Sequence, residues 1–155
     1  MIRSRKRLSL CITLLALNLA FIWGNSLMPG SVSGAFSDWV RELLAPLFGW
    51  KPGDSTGGGL LRKLAHFTEF MTLGILLRWL FGMLLTKTPQ QWLYAAAAAI
   101  LVASIDETIQ LFVPNRGPAI KDVGIDTLGA LLGITALTLI YVINKKIKNK
   151  RSKQL

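Results

Sequence analysis

The sequence predicts an all-α, polytopic membrane protein: four transmembrane helices, with an amphipathic interfacial helix between the first and the second. Three observations predict it. Of the 155 residues, 52% are hydrophobic, too apolar for a soluble domain of this size. Four apolar spans stand out, each with about the 20 residues that an α-helix needs to cross the hydrocarbon. The net charge of +10 comes from the two ends of the chain, where basic runs flank apolar spans.

The first span, about 8–28, follows Arg3, Arg5, Lys6 and Arg7. A basic start before an apolar run also suits a signal peptide. This run is longer than an ordinary signal core, and no clean small-x-small site follows, so it is read as an uncleaved helix. The first connection, from Pro29 to Leu61, holds a helical stripe. Phe36, Trp39, Val40, Leu43, Leu44, Leu47 and Phe48 recur at i, i+3, i+4, i+7, i+8, i+11 and i+12, with Ser37, Asp38, Arg41 and Glu42 opposite. A helix over about 35–48 is expected, limited or bent by Pro46. It lies either on the outer leaflet or on the bundle as a lid. Gly53 to Gly59 reads as a flexible tether.

The second span covers about 62–85, the third about 91–113 and the fourth about 123–143. Residues 1–143 then form a single four-helix domain, and residues 144–155 a basic tail. The basic N-terminus, the short connection Thr86-Lys87-Thr88-Pro89 and the tail with Lys145, Lys146, Lys148, Lys150, Arg151 and Lys153 are expected in the cytoplasm. All eight acids (Asp38, Glu42, Asp54, Glu69, Asp106, Glu107, Asp122 and Asp126) then fall on or near the outer face.

Composition excludes several classes. One cysteine, Cys11, leaves no disulfide framework and no thiol–metal site, and one histidine leaves no histidine-cluster site. The basic runs flank membrane spans rather than forming a patch on a folded face, so no nucleic-acid partner is expected.

The informative residues are polar groups inside apolar spans, which are costly there and mark function. At about 100° per residue, Lys63, His66 and Glu69 share an arc of about 120° near the start of the second span. In the third span Asp106 and Gln110 stack at i, i+4, with Glu107 about 100° around. Arg116 follows in the turn Asn115-Arg116-Gly117-Pro118. The fourth span opens with Asp122, Asp126, Gly129 and Gly133 on one stripe, and Gly129/Gly133 form a small-xxx-small contact surface. That surface serves either the monomer or a homo-oligomer. Four acids facing lipid would cost, as an upper bound, on the order of 10 kcal/mol. They must therefore face one another, the cations Lys63, Arg116 and Lys121, or a wet cavity. Taken singly, each has a plain structural reading: Asp122 suits a cap or dipole partner, His66 a satisfied polar residue, and Gly129 and Gly133 packing.

The blocks Lys63-x-x-His66-Phe67-x-Glu69-Phe70 and Asp106-Glu107-x-x-Gln110-x-Phe112, followed by Arg116, Asp122 and Asp126-Thr127-x-Gly129, resemble the VanZ-like family over about residues 8–143. The chain departs in two places: Phe70 stands where the family often has Tyr, and Asp126 where Asn is common. The resemblance implies a small multi-pass protein of the bacterial inner membrane and cell envelope. The family's namesake is associated with low-level resistance to the glycopeptide teicoplanin.

Two function classes follow. In an enzyme acting on a membrane lipid or lipid-linked cell-wall precursor, His66 or Glu69 is the general base and Asp106 or Glu107 the paired acid. Lys63, Gln110, Arg116, Asp122 and Asp126 then bind substrate, with Lys63 and Arg116 clamping a phosphate. In a binding protein, the same pocket holds a headgroup, a wall precursor or an amphiphilic glycopeptide without chemistry. No cofactor and no metal ligand is assigned. A divalent metal (Mg²⁺, Mn²⁺ or Ca²⁺) held by Glu69, Asp106, Glu107, Asp126 and His66 is a further alternative, as is transport by an oligomer.

Overall fold

A computed structural model describes residues 2–49, 56–117 and 120–152. Five helices follow one another: α1 (Ile2–Ser26), α2 (Gly30–Phe48), α3 (Thr56–Leu84), α4 (Thr88–Leu111) and α5 (Ile120–Arg151). The described residues contain no strand. Four stretches are long and apolar enough to cross a membrane: Arg5–Ser26, Leu60–Leu84, Thr88–Leu111 and Ile120–Arg151. The fold is that of an all-α, multi-pass membrane protein.

α3 is the hub, against which each of the other four helices packs, α5 most extensively. Small residues make this closeness available. A Cβ on Gly129 would overlap the backbone carbonyl of Phe67, one on Gly133 that of Met71, and one on Gly74 that of Ala130. The two backbones therefore meet with no side chain between them. The Gly129/Gly133 surface is thus used inside the monomer. α4 docks through Ala95, Ala96, Ala99 and Ala103, all buried. Leu10, Phe21, Leu101, Leu128 and Leu139 point outward instead, as lipid-facing side chains do where the solvent is hydrocarbon. At the end of the bundle away from the acids, the buried Arg78 joins α3 to α5. Its Nε donates to Thr138 Oγ1 at 2.8 Å, and its guanidinium lies 5.4 Å from the Tyr141 ring centroid.

Several boundaries differ from the sequence reading. α1 starts at Ile2, ahead of residue 8, and α2 at Gly30, ahead of residue 35. The start of α2 is held by Gly30 N–H donating to Pro114 O at 3.1 Å, an approach that a Cβ on Gly30 would block. α2 ends two residues after Pro46, with Gly49 in the left-handed conformation at φ 68°. Of the expected tether, Thr56 to Gly59 belong to α3, while Gly53, Asp54 and Ser55 lie outside the described residues. Each glycine costs a helix about 1 kcal/mol, and elongation from a long apolar helix offsets this. Similarly, residues 144–151 of the basic tail are helical and continue α5. Lys148, Lys150 and Arg151 in its last turn complement the negative end of the helix dipole.

α2 is turned with its apolar stripe outward. Phe36, Trp39, Leu43 and Leu47 are exposed, whereas Ser37 and Arg41 are buried. The stripe does not pack on the bundle as a lid would.

The glycine contacts predict opposite outcomes for one chemical change. Gly133→Ala should destabilise the protein by about 1–3 kcal/mol, because a backbone carbonyl cannot move aside as a side chain can. Gly124→Ala, on the same helix with nothing within 4 Å of its Cβ, should be neutral or stabilise by about 0.5–1 kcal/mol. Thermal unfolding of the detergent-solubilised variants checks both.

Candidate functional site

All nine polar residues singled out from the sequence come to one end of the bundle. Lys63, His66 and Glu69 lie on the early turns of α3. Asp106, Glu107 and Gln110 lie on the last turns of α4, Asp122 and Asp126 on the first turns of α5, and Arg116 in the α4–α5 connection. Eight of them line two adjoining spaces, and Asp106 lines neither.

The smaller space, about 10 Å³, is lined by Arg62, Lys63, His66, Glu107, Gln110, Asp122, Ile125 and Asp126. The larger, about 710 Å³, lies among α1, α2 and α3. Phe21, Met28, Val32, Phe36, Val40 and Leu61 give it apolar walls, and Asn25, Arg62, His66, Glu69 and Arg116 gather as its polar lining. His66 and Arg62 border both spaces.

Asp106 sits at the centre with no exposed surface. Ser26 Oγ donates to its Oδ1 at 2.6 Å, and Gln110 Nε2 donates to its Oδ2 at 3.0 Å. The second bond joins residues i and i+4 of one helix, as the spacing requires. His66 Nδ1 lies 4.0 Å from Asp106 Oδ2. This is an ion-pair distance, beyond hydrogen-bond reach. Glu69 turns the other way, accepting a bond from Asn25 Nδ2 at 2.8 Å. His66, Asp106 and Asp126 each offer one ligand atom, and these atoms lie within 4.8 Å of one another. Of the five residues in the metal alternative these three come together, while Glu69 faces α1 and Glu107 lines the neighbouring small pocket.

Arg116 is already partly engaged. Its Nε donates to Met28 O at 3.1 Å and its Nη2 to Asn25 O at 2.7 Å, placing a cation over the carbonyl end of α1. Burial lowers its pKa, helped by Arg62, while Asp106, Glu107 and Glu69 oppose the shift. An arginine starts so high that it stays charged. Its Nη1 is buried without a hydrogen-bond partner among the described residues. Glu69 Oε2, His66 Nδ1 and Asp126 Oδ1 share that condition. Asn18, Trp23, Arg41 and Arg78 also carry such atoms, but the first four share one end of the bundle, and buried polar atoms are nearly always satisfied.

Asp122 takes the dipole position in the first turn of α5 and also reaches the small pocket. Lys63 is exposed, with its side chain at the pocket's rim. Sequence reasoning missed Asn25, Ser26 and Arg62. The signal was faint but present: Asn25-Ser26 is a polar pair closing an apolar span, and Arg62 directly precedes Lys63.

Of the two departures from the resembling pattern, Phe70 is fully buried in the apolar core, where a phenol would need a partner for its hydroxyl. Asp126, 2% exposed, is part of the polar cluster. The family model described as VanZ/LLP1 matches residues 8–143 of this chain. No curated protein and no solved structure matches it. With that match spanning all four membrane helices and every polar residue of the cluster, the chain belongs to the VanZ/LLP1 family.

Proposed function

We propose that the protein binds a membrane lipid or lipid-linked cell-wall precursor in the outer leaflet of a bacterial inner membrane, and modifies its headgroup by acid/base chemistry. The observation that carries the reading is the 710 Å³ cavity, whose apolar walls adjoin Arg62, His66, Glu69 and Arg116. An apolar chamber with a few convergent polar groups suits an amphiphile: acyl or prenyl chain along Phe21, Val32 and Phe36, headgroup at the cations. Arg116 Nη1 and Arg62 meet a phosphate, with Lys63 at the neighbouring rim.

His66 or Glu69 takes the proton from the attacking group, and both border the cavity. Asp106 serves as partner to His66: fixed by Ser26 and Gln110, it favours the imidazolium that forms when His66 takes a proton. Glu107, Gln110, Asp122 and Asp126 hold the far side of the same end. An altered envelope lipid or precursor would link this activity to glycopeptide (teicoplanin) resistance of the kind associated with the family's namesake.

The test is mass spectrometry of membrane lipids and lipid-linked precursors from cells expressing the wild type, His66→Gln, Glu69→Gln or Asp106→Asn at matched levels. A species gained or lost with the wild type should change little with Asp106→Asn. Loss of the general base should lower conversion by about 10²–10⁴-fold. Identical profiles for wild type and variants would reject chemistry and leave a binding role. Binding has its own readout: Arg116→Ala should weaken retention of a co-purified amphiphile by about ten- to a hundredfold, the equivalent of one charge-assisted hydrogen bond. Equal retention would reject the cavity as the binding site.

The orientation follows the positive-inside asymmetry, with both termini cytoplasmic. In a Cys11→Ser background, a cysteine at Gly49 should react with an impermeant maleimide added to intact spheroplasts. One at Ser152 should react only after lysis.

A further inference from the structure

We infer that His66, Asp106 and Asp126 form a binding site for one divalent transition-metal ion. Three helices contribute one residue each: His66 from α3, Asp106 from α4 and Asp126 from α5. Their nearest ligand atoms all fall within 4.8 Å. A metal with bonds of about 2.0–2.2 Å holds neighbouring ligand atoms about 3.4 Å apart, so side-chain rotation of about an ångström closes the set.

A cluster of acids alone would not carry this. The independent observation is Asp126. Its side chain is buried, with 2% of the residue exposed, and its Oδ1 has no hydrogen-bond partner among the described residues. Asp106 is fully buried beside it. Two carboxylates so placed repel unless protonated or bridged by a cation. The nearby cations leave Asp126 Oδ1 unmet: Arg116 spends two of its nitrogens on α1 carbonyls, Lys63 is exposed at the rim, and Arg62, though it lines the same pocket, gives this oxygen no hydrogen bond. His66 Nδ1, the third member, is also buried and has no hydrogen-bond partner among the described residues, its contact with Asp106 being at 4.0 Å.

The surroundings fit an ion better than a substrate. The small pocket bordering His66 and Asp126 measures about 10 Å³, room for one water or one ion. Ser26 and Gln110 already hold Asp106 by hydrogen bonds, as groups behind a metal ligand do. One imidazole with two carboxylates selects Zn²⁺ or Mn²⁺ over Mg²⁺ and Ca²⁺, which prefer oxygen alone.

This inference rests on the amphiphile reading and sharpens it. With His66 on the metal, Glu69 is left as the base at the large cavity, and the ion supplies Lewis acidity toward a phosphoryl or carbonyl oxygen.

The experiment uses the full chain, purified in detergent, stripped with chelator and titrated separately with Zn²⁺, Mn²⁺, Mg²⁺ and Ca²⁺ by calorimetry. Retained metal is counted by elemental mass spectrometry after gel filtration. The expected result is one Zn²⁺ or Mn²⁺ per chain, with affinity lowered by at least about tenfold in Asp126→Asn and in His66→Gln. Glu69→Gln should bind as the wild type does. Metal-induced thermal stabilisation should follow the same order, and His66→Gln, at a partly exposed site, keeps the test alive if Asp126→Asn aggregates. Substoichiometric metal on the wild type, or wild-type affinity in His66→Gln, overturns the inference. The two readings fail separately. Lipid conversion by a wild type that retains no stoichiometric metal removes the metal site alone. Stoichiometric metal without any lipid change removes the chemistry and leaves the site.

Discussion

Asp106 has no exposed surface and stands within two turns of the end of an apolar helix. A carboxylate there cannot be left to lipid, where its cost is about 2.5–3.5 kcal/mol on insertion scales at mid-membrane. Everything around it follows from that constraint. α1 supplies Ser26, α4 supplies Gln110 one turn on, and α3 supplies His66. Three helices must end at the same depth and at fixed rotation for these groups to meet. The loop after α4 is then tied back by Arg116, whose bonds to Asn25 and Met28 carbonyls hold the end of α1 in register.

The same constraint explains where the glycines fall. Asp126 reaches the cluster from α5 only because α5 lies very close to α3. Gly129 and Gly133 occupy the first two turns after Asp126, and their missing side chains leave room for the Phe67 and Met71 carbonyls. On α3, Phe67 directly follows His66, and Met71 comes two residues after Glu69. Close packing and the polar cluster are therefore one device: glycine contact sets the distance, and polar groups occupy its end. Large apolar residues are spared for the outer surface, where they meet lipid.

Much of this was legible in the sequence, and what was not has physical reasons. Four spans, the amphipathic stripe and the gathering of nine polar residues at one end all follow from periodicities of length 20 and 3.6, which are local properties. The Asp106–Gln110 bond is a direct consequence of i, i+4 spacing. By contrast, the bonds Asn25–Glu69 and Ser26–Asp106 join residues 44 and 80 apart, and no local period encodes them. The 120° arc of Lys63, His66 and Glu69 showed a common face but not its division, with Lys63 at the small pocket beside α5, Glu69 toward α1 and His66 bordering both spaces. Helix ends were misplaced where glycine or lysine suggested a tether or a tail. A long apolar helix extends through both, because elongation is easier than nucleation. The stripe on α2 could be recognised, but which side of the molecule it faced could not, since periodicity records a face and not its neighbour.

That orientation bears on how an amphiphile would reach the site. α2 buries Ser37 and Arg41 and exposes Phe36, Trp39, Leu43 and Leu47, the reverse of a helix covering a soluble core. Such a surface is stable only against hydrocarbon or the interface. Phe36 lies at the junction, exposed on α2, stacked on Trp39 with ring centroids 5.9 Å apart, and lining the large cavity. The apolar wall of the cavity is thus continuous with the face that α2 presents to the membrane. On the amphiphile reading, a chain on that face would meet a cavity whose lining runs from Phe36 and Val40 to Arg62, His66 and Arg116. On the same reading α2, which the sequence left as either an interfacial helix or a lid, forms the side of a lateral entrance through which a chain would come in from the bilayer, while the buried carboxylates stay out of it.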